Sequence, residues 1–125
     1  PLIEKLITTK SWWDTVDALA SHLAGNWFLK FPENKEKLLE KWYQSGNMWL
    51  QRTVLIHQLN YKDKTDEKLL FFYCDQLKES KEFFIRKGIG WALRQYARTA
   101  PEKVRTFVNQ TTLSALSVRE ATKHL

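Results

Sequence analysis

The 125-residue chain is 43% hydrophobic, enough to bury one ordinary core and too short for two domains. Only four glycines and three prolines argue against a turn-rich sandwich or barrel and in favour of an all-α chain. Twenty Lys and Arg against 14 Asp and Glu leave a formal charge of +6, which favours nucleic acid or a membrane surface over an acidic protein as partner. A soluble basic protein without such a partner stays open, so the placement of the charge has to decide.

Residues 2–8 read as the tail of a helix, and the chain opens on Pro1 without an initiator Met, so a fragment of a longer protein is expected. Ser11 suits the N-cap of a second helix over about 12–23, ended near Gly25. Pro32 opens a third through "ENKEKLLEKWY" to Tyr43, and "SGN" at 45–47 breaks it. A fourth runs from Met48 to Leu59, and "NYKDK" follows as a loop. Thr65 is placed to cap a fifth, to Leu77, with Lys68 where a capping box has Glu; Ser80 starts a sixth, to Arg98. Pro101 suits the first turn of a seventh, and Ser117 with Glu120 forms a capping box for the last.

Such helices, joined by short connections, stack as antiparallel hairpins in either a compact bundle or an α-solenoid. A feature recurring about every 40 residues would mark the solenoid.

Helical geometry sorts the side chains. In "FFIRKGIGWALRQYAR", Ile85, Ile89, Ala92, Leu93 and Tyr96 form an apolar stripe, while Lys87, Trp91, Arg94 and Arg98 form a second one roughly opposite. Trp91 is therefore either second-layer packing or an aromatic among cations that would meet phosphates. In "SWWDTVD", Trp12 shares a core face with Val16, Leu19, Ala20 and Leu23, whereas Trp13 and Asp17, four apart, stack on the flank. Asp14 suits a first-turn acid beside the helix dipole.

In the fourth helix Trp49, Arg52, Ile56 and Leu59 share one face, with Leu50 and Val54 on the reverse, as in an inner layer covered on two sides. An arginine in an apolar face needs a carboxylate or a phosphate within reach, and either an internal partner or a functional one would serve. Residues 13, 52 and 91 are evenly spaced by a repeat length, which would set Trp13, Asp17, Arg52 and Trp91 side by side on one concave surface.

The lone Cys74, in "LLFFYC", excludes an internal disulfide, fits a reducing compartment and lacks the basic neighbours of a nucleophile. His22, His57 and His124 show no metal-binding spacing, so neither metal nor other cofactor is expected. No run of about 18 apolar residues and no charged-then-apolar leader is present, so no membrane partner is expected and a cytoplasmic location is.

Four segments, "TTKSWWDTVD", "NMWLQRTVLIHQLNYK", "FFIRKGIGWALRQYAR" and "LSVREATKHL", resemble the AlkD family of HEAT-like-repeat DNA glycosylases over nearly the whole chain. Family members are typically longer by several helices ahead of the first segment, so the chain is similar to their C-terminal portion and reads as one HEAT-like-repeat domain over 1–125. The resemblance implies a right-handed α-solenoid of antiparallel helix pairs. It also implies a monomeric, monofunctional enzyme that releases N3- or N7-alkylated purines from duplex DNA. Carried over to this chain, Asp17 would be the catalytic carboxylate, Trp13 and Trp91 aromatic walls beside the lesion, and Arg52 a partner of the backbone near it. Arg94 would be a further backbone contact, with Lys87 and Arg98 completing the basic stripe. Two other readings share the fold: a non-catalytic binder of distorted or branched duplex, which does not need Asp17 beside Trp13, and a protein-interaction scaffold in which Trp91 is a hot spot.

Overall fold

A computed structural model describes Glu4, Lys5, Asp17, residues 19–123 and Leu125. Among the described residues there are seven α-helices and no strand: α1 Gly25–Lys30, α2 Lys35–Gln44, α3 Met48–Ile56, α4 Glu67–Leu77, α5 Phe83–Ala97, α6 Pro101–Gln110 and α7 Ala115–Ala121. The chain divides into two compact units, Pro1–Asn60 and Tyr61–Leu125.

Local chemistry sets most helix starts. Gly46 takes φ +73°, the left-handed region, and lets the chain reverse after α2. Asn47 then caps α3, its side-chain oxygen accepting from the backbone N–H of Trp49 (2.9 Å) and Leu50 (3.1 Å). Pro32 leads a 3₁₀ turn, Pro32–Asn34, into α2, and Pro101 is the first residue of α6, where its missing N–H costs nothing.

Four expectations need correction besides Ser80, which does not start α5: that helix begins at Phe83, after the extended Glu82. Thr65 does not cap α4; Asp66 does, accepting from Leu69 N–H at 3.1 Å. Ser117 does not cap α7 either. Ser114 has the extended backbone of an N-cap and accepts from Ser117 N–H at 3.1 Å, while the Ser117 hydroxyl, 1% exposed, donates to the Arg86 carbonyl at 2.7 Å. Glu120 is thereby released from any capping role.

The third correction concerns Gly25, which does not end a helix. A π-helical segment, Leu19–Ala24, runs straight into α1, because continuing the helix carries Phe28 into the core. The wider turn also shifts the helical phase, which is the fourth correction. Leu23, assigned to the core by 100° per residue, is 49% exposed, and Ala24 is buried in its stead. The other members of that face lie outside the described residues or side chains, as do Ser11 and Asp14.

In the first unit α2 packs on α3, and the core is built from Phe28, Leu39, Trp42, Leu55 and Ile56. Phe28 meets Trp42 and His57 edge-on, with ring centroids 5.6 and 5.4 Å apart. The Trp42 indole N–H donates to Glu4 Oε2 at 2.9 Å, and this bond is the leading reason that the Glu4 carboxyl titrates below its ordinary 4.5. α3 is buried at Leu50 and from Arg52 through Ile56, as expected of an inner helix covered on two sides.

In the second unit α5 packs on α6 and, most extensively, on α7. Ile85, Ile89, Ala92 and Leu93 are buried there with Val104 and Ala121, as the apolar stripe predicts. Phe71 stacks on Phe107 at 4.3 Å and holds Tyr96 edge-on, while the Tyr96 hydroxyl donates to Glu67 Oε1 at 3.2 Å.

Candidate functional site

Arg52 lies in the most buried helix of the first unit and is only 3% exposed. Its apolar surroundings require an acidic partner, and the partner is Asp17. Arg52 Nε donates to Asp17 Oδ1 at 2.9 Å and Nη2 to Oδ2 at 3.3 Å, a two-pronged pairing that fixes the carboxylate plane as well as its position. The side chains are 4% and 11% exposed, so this is a desolvated ion pair with a small opening on the carboxylate side.

The backbone around Asp17 is anchored as well. The Ser21 hydroxyl donates to the Asp17 carbonyl at 2.8 Å, and the Asn60 amide donates to the Ser21 carbonyl at 3.4 Å. The π-helical segment starts two residues after Asp17, an irregularity often found beside functional groups. Trp13, the expected aromatic neighbour, lies outside the described residues.

The second unit carries the basic stripe. Lys87 and Arg98 are exposed, and Trp91 and Arg94 between them are half-buried, on one face of α5. The Lys87 ammonium also sits over the Phe83 ring, 5.7 Å from its centroid. Facing this stripe, Glu120 of α7 reaches two of its cations, its Oε2 3.3 Å from Arg94 Nη1 and its Oε1 4.0 Å from Lys87 Nζ.

The close approach depends on Gly90, where a Cβ would stand 2.5 Å from Glu120 Cβ and 3.0 Å from the Ser117 carbonyl oxygen. Sequence reasoning missed Glu120 as part of this face, since nothing local links it to residues 26 and 33 positions earlier. A hint was present in the two small residues of "KGIGW", which mark a helix face that a neighbour can approach closely.

The family model described as DNA alkylation repair enzyme matches residues 1–125. The chain belongs to the DNA alkylation repair enzyme family. Among solved structures, it is similar to a predicted DNA alkylation repair enzyme from Enterococcus faecalis, with a TM-score of 0.83 and 34% identity. The match covers 98% of this chain and 60% of that one, so the chain spans about three fifths of that relative's length. No curated protein matches.

Within this DNA alkylation repair family member, the structure brings Asp17 and Arg52 together in one unit, and Lys87, Trp91, Arg94 and Arg98 along one helix of the other. Cys74 is fully buried among apolar groups, and burial pushes its thiol far above the ordinary range, the opposite of an activated nucleophile. No described helix is long and apolar enough to cross a membrane.

Proposed function

We propose that this chain carries the catalytic part of a monofunctional DNA glycosylase that hydrolyses the N-glycosidic bond of N3- or N7-alkylated purines in duplex DNA. The observation that supports it is the Asp17–Arg52 pair: a carboxylate held by two hydrogen bonds, largely desolvated, yet still 11% exposed.

The chemistry needs little else. The C1′–N bond breaks, its electron pair stays with the base and neutralises the alkylated cation, and positive charge builds on the deoxyribose. A fixed carboxylate beside C1′ stabilises that oxocarbenium-like state without having to reorient. Water then adds at C1′ and loses its proton, leaving an abasic site. The base departs neutral, so no general acid is required. Trp13 and Trp91 would favour the cationic sugar or base through their ring faces, by about 0.5–2 kcal/mol each. Arg52 would position Asp17 and lie near the DNA backbone, with Arg94, Lys87 and Arg98 as further backbone contacts. The enzyme would act as a monomer, with no bound cofactor.

The two-pronged grip on Asp17 also suits a bridge of purely structural purpose, in which case the protein binds duplex without releasing base. Base release from a duplex containing N7-methylguanine separates the two, using the whole protein and its Asp17→Asn variant. Release is expected to fall by about 10²–10³-fold, the size of losing one preorganised electrostatic group, while duplex binding is retained. A variant as fast as wild type would show the assigned chemistry to be wrong.

A further inference from the structure

Lys87 and Arg94 stand one turn before and one turn after Gly90 on α5, and the carboxylate of Glu120 sits between them. This is not an adventitious surface pair. α7 is locked at that point by the Gly90 notch and by the Ser117 hydroxyl bonded to the Arg86 carbonyl, and the Glu120 side chain is only 17% exposed. The two cations remain within reach of a surface partner, 47% and 25% exposed.

A carboxylate shared by a guanidinium and an ammonium occupies the place that a phosphate oxygen would take, because the same donors serve both anions. We infer that Glu120 is an internal competitor for the DNA backbone, one that weakens the protein's hold on undamaged duplex. The inference rests on the reading above that the α5 stripe faces DNA. A phosphate approaching Arg94 or Lys87 must displace the Glu120 carboxylate and then sit beside its negative charge. Each such phosphate is therefore held more weakly than one met by an unengaged cation, and the protein leaves undamaged DNA sooner.

The test is binding of the whole protein to undamaged duplex across a salt series. Glu120→Gln keeps the side-chain volume that fills the notch and removes the charge. It is expected to bind about 5-fold tighter near 50 mM salt, with a log–log salt slope steeper by about 0.9 for each additional phosphate neutralised. The advantage should shrink when Arg94 is also replaced by Ala and vanish when Lys87 is replaced as well, and Glu79→Gln, which removes one charge at an exposed position, should not reproduce it.

A second measurement does not depend on the Glu120 variant. Arg94→Ala should cost less affinity than Arg98→Ala, because Arg94 is already engaged by Glu120. The inference is overturned if Glu120→Gln matches wild type, if Glu79→Gln produces the same increase, or if Arg94→Ala costs more than Arg98→Ala. Wild-type protein that fails to bind duplex in a salt-dependent way would instead overturn the DNA reading itself.

Discussion

Replacing Arg52 by Met removes one half of a buried pair and leaves the other. The starting state has two hydrogen bonds, at 2.9 and 3.3 Å, between side chains 4% and 11% exposed. Screening by solvent is slight there, so the relevant comparison is a buried pair losing one partner, about 3–5 kcal/mol, and not an exposed pair worth at most about 1. Against a typical total stability of about 5–15 kcal/mol, this takes a large share of the fold. Removing both charges should behave differently. Asp17→Leu with Arg52→Met eliminates the desolvation cost along with the attraction, and such swaps are often neutral, so the double variant is expected within about 2 kcal/mol of wild type. Urea unfolding of the four proteins in the cycle measures the coupling directly. A loss below about 1 kcal/mol for Arg52→Met would mean that the pair is solvated, and additive single effects would mean that the partners do not depend on each other; either result refutes the reasoning. The double variant also has a functional use, since a stable protein without Asp17 separates folding from the proposed base release.

Gly90→Ala should destabilise by about 1–2 kcal/mol in the same unfolding assay, because overpacking against Glu120 and the Ser117 carbonyl exceeds the roughly 1 kcal/mol gained in helix propensity. Cys74 should resist a disulfide reagent in the native protein and react promptly once denatured, since its thiol is buried and its pKa pushed up by desolvation. Burial lifts the Tyr61 phenol from 10.0 to about 12. Its folded pKa exceeds the unfolded one, so the stability it contributes is intact below pH 10 and is lost as pH rises to about 12. Tyr61→Phe should lack that alkaline loss in unfolding experiments and one late-titrating phenolate in ultraviolet absorbance.

Elements governed by neighbouring residues were legible from the sequence. The break at Ser45–Asn47, the proline starts of the 3₁₀ turn and of α6, and the apolar stripe Ile85–Ile89–Ala92–Leu93 all follow from chemistry within one or two turns. What failed was decided at longer range. Ser117 is the capping residue that the sequence suggests for α7, but its hydroxyl is taken by the tertiary bond to the Arg86 carbonyl, and Ser114 caps the helix instead. Gly25 has poor helix propensity, yet the helix continues through it because Phe28 has a buried place to fill between Trp42 and His57. Leu23 shows a further limit. Reading faces at a fixed 100° assumes a uniform helix, and one π-helical segment rotates every assignment beyond it.

The same distinction applies to the site. The apolar face around Arg52 demanded an anion, and that demand could be read from α3 alone; whether a carboxylate or a phosphate meets it depends on a residue 35 positions away. The answer gives Asp17 and Arg52 a joint logic that neither has singly. A guanidinium that grips both carboxylate oxygens makes it tolerable to bury a carboxylate, and a low-dielectric, preorganised setting is where such a group acts most strongly on a developing cation. The cost is that Arg52 also offsets part of the charge that Asp17 would present to the sugar. Under the proposed mechanism the residual field must therefore come from geometry, with the carboxylate nearer to C1′ than the guanidinium is. A conservative Arg52→Lys variant tests this, because a point charge cannot reproduce the fork. It should retain more stability than Arg52→Met yet lose base release nearly as fully. If it restored release in proportion to stability, Arg52 would be a structural counter-ion with no part in aiming Asp17.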